Sequence, residues 1–215
     1  MLRILILIVS LVLSNIAIAA SDPYAPYVFS EAAKTEIEQI DKLYQRYTTI
    51  TTRFVQGDSL GNKATGWFAI QKPGKARVEY DNIPISLIAN ANSLLLHDTK
   101  LKQKSFVPIN SSPFAYLLQK EMSLLSNQII ITNYESTADH IEITIISSQY
   151  KEIGAIKLVI SKENGELLSW TVYDAKGVET SIFLVDAKFD NKHLKNQAIF
   201  NTQRVVEHVE FKDVK

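Results

Sequence analysis

The chain has 215 residues, 23 basic against 23 acidic side chains, no cysteine, and a hydrophobic share of 46%. Without cysteine there is neither a disulfide framework nor a thiolate metal site, and without a long run of like charges nucleic acid is not an expected partner. One domain of about 195 residues, held by its own apolar core, is what such a composition implies.

The first twenty residues stand apart. Arg3 precedes an apolar run over 4–13, and the stretch ends in Ala17, Ile18, Ala19 and Ala20, the pattern of a secretory signal with an A-x-A site. Cleavage after Ala19 or Ala20 leaves 21–215 as the single expected domain, with one net negative charge once Arg3 is removed. No later segment reaches the roughly 18 uninterrupted apolar residues of a helical membrane span, so the mature chain is expected to be exported and soluble.

Ser30 is placed to cap a helix over 31–47, with Glu31 at its positive end. Ala33, Ile37, Ile40, Tyr44 and Tyr47 recur at helical spacing, while Lys34, Glu38, Asp41, Lys42 and Gln45 take other faces. From Thr48 the period becomes two, predicting strands at 50–57, 64–72, 75–81, 86–90, 94–97 and 101–107, with turn chemistry in each break. Phe68, Ile70 and Lys72 share one face of their strand, as do Ala76, Val78 and Tyr80 of the next, with Lys75, Arg77 and Glu79 opposite. Ser112 and Pro113 then start a central helical patch carrying Phe114, Leu117, Leu118, Met122 and Leu125 on one stripe, with Gln119, Lys120 and Glu121 turned away and a break into two short helices near 119–123 as an alternative. Strands resume at 129–134, 141–147, 155–161, 167–173, 179–189 and 205–211, with hairpin turns at 163–165 and 174–177.

Strands joined by so few residues are antiparallel neighbours. The expected class is mainly β with helices: an open antiparallel β-barrel of about eleven strands with an α-helical lid over an apolar cavity. Eight strands fill their own lumen with side chains, whereas about eleven leave a wider interior that the two amphipathic helices can seal. The ammonium of Lys72 is then in reach of the carbonyls that end a lid helix, which need donors. Ordinary core packing of the helices and a solvated strand-end lysine are the plainer alternatives.

No nucleophile elbow, zinc-protease, phosphate-loop or dinucleotide motif occurs. His97, His140, His193 and His208 are scattered without ligand spacing and read as turn or surface residues. Ser111 and Ser112 have no His or Asp nearby to activate them, and Asp98, Asp174 and Glu163 sit in turns. The expectation is a binding protein and not an enzyme, with no cofactor and no metal.

An ordered series of short motifs resembles the LolA family of periplasmic lipoprotein carriers. It runs through Phe54-Val55-Gln56, Gly66 with Phe68 and Ile70, Lys72-Pro73-Gly74-Lys75, Tyr80, Pro84, Leu94 to His97-Asp98, Leu101, Gln103, Ser112-Pro113 and Leu117-Leu118. The resemblance implies a helix-lidded open barrel whose cavity takes the acyl chains of a lipoprotein. It implies cargo received from an inner-membrane ABC transporter and passed to a lipid-anchored outer-membrane acceptor, in the periplasm. On this sequence the cavity would be lined by Phe68, Ile70, Val78, Tyr80, Phe114, Leu117, Leu118, Met122, Leu125, Ile37, Ile40 and Tyr44, with Lys72 as the lid latch. The family usually has arginine before the proline, where this chain has Lys72, and an aromatic three residues after it, where this chain has Ala76. A lysine keeps the charge without the guanidinium fork. The family's glycine before Leu94 is also missing, leaving Asn90 or Asn92 to take positive φ. The acceptor of the same pathway is anchored through a cysteine absent here, and a monomer is expected. The alternative is a periplasmic carrier or sensor of free lipids or other apolar ligands.

Overall fold

The computed structural model describes residues 24–91, 93–109, 113–120, 123–149, 154–174, 177–207 and 209–214. The signal segment 1–20, Asn92, Ser111, Ser112, Glu121, Met122, His208 and the side chain of Phe114 lie outside what is described.

Ser30 Oγ accepts the Ala33 N–H at 3.2 Å and so starts helix α1, Glu31–Gln45. Eleven strands follow: β1 Thr49–Asp58, β2 Lys63–Gln71, β3 Lys75–Tyr80, β4 Ile85–Asn90, β5 Ser93–Asp98, β6 Gln103–Pro108, β7 Ile129–Ser136, β8 His140–Ser147, β9 Ala155–Ser161, β10 Leu167–Tyr173 and β11 Glu179–Asp190. Each begins and ends within two residues of the period-two reading. The glycine missing before Leu94 is replaced neither by Asn90, which ends β4, nor within the described residues by another asparagine: Ala91 takes the positive φ of 53°.

All eleven strands form one antiparallel sheet in the order β6-β5-β4-β3-β2-β1-β11-β10-β9-β8-β7. Two meanders, β1 to β6 and β7 to β11, are therefore joined side by side through β1 and β11. The outermost strands β6 and β7 do not pair, so the barrel is open. The chain passes between these two edges through a 3-10 helix, Pro113–Leu118. The sheet curls strongly. β2 and β10 are three strand spacings apart, about 14 Å if flat, yet the Phe68 and Trp170 rings meet with centroids 5.4 Å apart. A register shift between Thr51 and Arg53, opposite Asp186 at φ 53°, adds local twist along the seam.

The inner face carries the main core, where Ile37, Ile40 and Tyr44 of α1 and Leu117 and Leu118 of the 3-10 helix meet the isoleucines and leucines of β7 to β10. The outer face of β2 is buried as well, since Trp67 and Ala69 pack with Ile199, Phe200 and Val214. The segment 205–211 is thus a correction to the sequence reading. Its described residues form no strand but cross the outer face, where Phe211 stacks on Trp67 at 6.0 Å and the Val206 carbonyl accepts from Arg77 at 2.6 Å. Its alternating apolar residues serve as plugs, with a buried guanidinium serving the backbone in place of a neighbouring strand. Arg77, only 1% exposed, also donates to the Ile199 carbonyl at 3.0 Å and to Glu79 at 2.6 Å, while Ser86 donates to the other Glu79 oxygen. His97 is a second correction: it is 3% exposed on this covered face, with no hydrogen-bond partner for Nδ1 among the described residues.

Gly66 lies opposite Tyr80, and a Cβ there would sit 2.1 Å from the Glu79 carbonyl oxygen and 2.7 Å from the Phe54 ring. Its bare backbone lets Phe54 lie against the strand. Gly66→Ala is expected to destabilise the fold by about 1–3 kcal/mol through overpacking, measured as a lower urea midpoint by circular dichroism.

Candidate functional site

The strand parity of β2 carries past its end, so Lys72 points to the same side as Ile70 and Phe68, into the interior. Its side chain is 4% exposed. Nζ donates to the Tyr44 carbonyl at 3.1 Å and stands 4.1 Å from the centre of the Tyr44 ring. Tyr44 lies in the last turn of α1, where its carbonyl also accepts the Tyr47 N–H at 3.2 Å and carries the negative end of the helix dipole. A cation is well matched there, with the aromatic face adding to its stabilisation. Burial pushes the Lys72 ammonium down to about 8, still above neutrality.

The contact continues inward. Tyr44 OH donates to the Leu117 carbonyl at 3.3 Å, and the Gly74 N–H donates to the Leu118 carbonyl at 2.8 Å. The turn after β2, the end of α1 and the 3-10 helix are thereby tied at one point. Gly165, with φ +75°, brings the β9–β10 turn against the same helix end: a Cβ there would lie 2.4 Å from Leu43 Cβ. One turn earlier, buried Asp41 accepts the Leu124 N–H at 3.0 Å. Desolvation pushes the Asp41 carboxyl up to about 6, with Leu124 and Ser123 pulling against it and Glu38 adding to it.

That bond explains a departure from the expected helical stripe. Helical structure ends at Leu118, and its 3-10 geometry does not hold the spacing of an α-helix. Leu124 turns inward onto Asp41, and Leu125 lies at the surface, 37% exposed. Met122 and the Phe114 side chain fall outside the described residues.

Beyond the lid the inner face is hollow. A cavity of about 150 Å³ is lined by Phe54 and Gln56 of β1, Phe68 of β2, Ala76, Val78 and Tyr80 of β3, Leu87 and Ala89 of β4, Leu94 of β5, Trp170 of β10 and Ile182 of β11. Phe68, Val78 and Tyr80 were anticipated from strand parity. Ile70 joins the same core, where Ile37, Ile40, Tyr44, Leu117 and Leu118 of the two helices pack it solid. Phe54, Leu87, Leu94, Trp170 and Ile182 were not anticipated. Parity within each strand could have found them, but only once the strand order was known.

The lid closes one end of this space. Ile50, Ile70, Ala76 and Ala89 at that end are fully buried, whereas Gln56, Tyr80 and Leu87 at the other are partly exposed. Tyr80 OH donates to Gln56 Oε1 at 2.9 Å across the open end. The lining can receive an apolar guest by displacing little ordered polarity, and it holds no evident nucleophile paired with a base. Among the described residues no three His, Cys, Asp or Glu side chains are placed to hold a metal ion. No helix among them is long and apolar enough to cross a membrane.

Residues 45–202 match the family described as outer membrane lipoprotein carrier protein LolA. A DUF1329 family protein from Desulfovibrio piger superposes with a TM-score of 0.52 over 81% of this chain and 99% of its own, at 10% identity, a likeness of fold alone. A LolA superfamily protein from Nitrosomonas europaea gives 0.48 over 80% and 98% at 8% identity. The Pseudomonas aeruginosa MucA/MucB complex gives 0.47 over 77% and 60% at 9%. No curated protein matches the chain by sequence.

The Asp41 carboxyl titrates near 6 when folded against an ordinary value of 3.8. A raised carboxyl makes a contribution that is present below its unfolded value and lost as pH rises through its folded one, so ionised Asp41 weakens the fold at neutral pH. Asp41→Asn keeps an acceptor for Leu124 without the charge. The variant is expected to exceed the parent in stability by about 2 kcal/mol at pH 7.5 and to lose that advantage by pH 4, as read from urea unfolding at each pH.

Proposed function

The chain belongs to the outer membrane lipoprotein carrier (LolA) family, and on that premise we propose that it carries acylated lipoproteins across the periplasm. In this reading it takes them from an inner-membrane ABC transporter and hands them to a lipid-anchored outer-membrane acceptor. The observation that supports it is the apolar cavity continuing beneath a stopper that is tied down through Lys72, Tyr44 and Leu117.

The physical need is large. Each methylene kept from water contributes about 0.8 kcal/mol, so a chain of some fifteen represents roughly 12 kcal/mol. A cavity of about 150 Å³ is only the size that accepts a benzene-like guest. The structure is therefore the closed form of the proposed carrier, and a long acyl chain enters only if the lid core moves. Its Leu117 and Leu118 leave the interior, the acyl chain takes their place, and the drive to re-close offsets part of the cargo's affinity. Release to a better-fitting acceptor then needs no nucleotide bound by the carrier itself. Mass spectrometry of lipid recovered with the protein from periplasm tests the cargo: acylated polypeptide supports the proposal, and free lipid alone supports the alternative carrier of apolar ligands.

Val78→Glu places a charge on a partly exposed cavity wall. It is expected to weaken binding of a diacylated lipopeptide at least about tenfold while leaving the circular dichroism spectrum unchanged; undiminished binding would move the acyl site elsewhere. In Lys72→Leu the Tyr44 carbonyl loses the ammonium and keeps only its backbone donor, while the bulk is kept. Transfer to the acceptor should slow severalfold with loading little changed, and a transfer rate equal to the parent's would remove Lys72 from the latch role.

A further inference from the structure

The two free edges of the sheet are treated differently. On β7 the Tyr27 N–H donates to the Ile131 carbonyl at 2.8 Å, and Tyr27 and Phe29 pack with Tyr134, so the chain before α1 covers that edge. On β6 all six residues are exposed, and in the strand order no strand lies on its outer side. Alternate N–H and C=O groups of such a strand are open to a further strand.

Two features narrow what can pair there. Lys100, Lys102 and Lys104 crowd the β5–β6 hairpin, and none of them has an ion-pair partner among the described residues. Their positive charge favours an acidic strand on this edge over a basic one. The edge is also continuous with the cavity. Leu94 of the cavity wall pairs with Val107, and Leu96, 39% exposed, pairs with Ser105, so an apolar shelf runs from the hollow to β6.

We propose that the free edge of β6 receives an extended, acidic stretch of the cargo polypeptide, the residues that follow its acylated one, as a twelfth strand. The inference rests on the acyl-carrier reading above. Chains lodged in the cavity would hold the residues attached to them a few rises of about 3.3 Å from the edge, so strand addition is intramolecular and weak contacts suffice. The backbone supplies the bonds, and the lysines select the sequence.

The test uses the full mature chain and synthetic lipopeptides that share one diacylated N-terminal cysteine. One linker alternates Glu and Val, one alternates Lys and Val, and two more are the Glu form with N-methyl groups on one or the other set of alternate backbone nitrogens. Binding is followed by fluorescence anisotropy of a dye at the peptide's far end. The Glu linker should bind about tenfold more tightly than the Lys linker at low salt, with the gap shrinking at high salt. N-methylation of one alternate set, and not the other, should abolish the gain. Changing exposed Lys102→Glu and Lys104→Glu together should reverse the order of the two linkers. Equal binding by both linkers, indifference to both N-methyl sets, or an unchanged order in the double variant overturns the edge site and leaves the acyl reading standing. Failure of every lipopeptide to bind overturns both.

Discussion

A lysine ammonium set against the last-turn carbonyl of a helix, inside an otherwise apolar interior, ties this structure together. Eleven strands curl without closing, so something other than the sheet must exclude water from the inner face. Helix α1 and the 3-10 helix do so, and their polar ends must be satisfied where they are buried. Lys72 adds a charged donor to the Tyr44 carbonyl, and the Tyr44 hydroxyl passes the link to Leu117. A buried charge is tolerated only while its partner stays. Any displacement of the helix end therefore leaves the ammonium unpaired in the core or delivers it to water, and closure is coupled to dryness.

The opposite face of the same strands is covered as well. β2 is covered on both sides, with Phe68 and Ile70 facing the cavity and Trp67 and Ala69 lying beneath the carboxy-terminal segment. Arg77 holds that segment by two of its carbonyls and is itself held by Glu79. A wall braced from behind in this way resists bending. The chemistry of the two cations follows from their placement one strand apart: Arg77 with its planar fork clasps several partners at once, and Lys72 with a single point charge holds one carbonyl and one ring.

Much of the site was visible along the chain because strand parity is local. Phe68, Val78 and Tyr80 share a face whatever lies beside their strands. Trp170 and Ile182 reach the same hollow only because β11 pairs with β1, a contact across more than a hundred residues that no short window contains. Leu125 lies at the surface because the helical turn ends at Leu118, close to the break at 119–123 that the sequence also allowed, and the buried carboxylate of Asp41 receives the Leu124 N–H. Residues 205–211 alternate as a strand would, but β1 and β11 already pair with each other, and the apolar members were better buried on Trp67.

Taken alone, the order of residues determined the Ser30-capped helix, eleven of the twelve strands read from it with their turns, and the face that Lys72 shares with Phe68 and Ile70, because capping, alternation and turn chemistry act over a few neighbours. Tertiary structure decided which edges stay open, how far the lid fills the interior, and that Lys72 meets Tyr44, because these depend on distances between segments far apart in the chain. A period of two says which way a side chain points. What it points at is settled only when the sheet has curled.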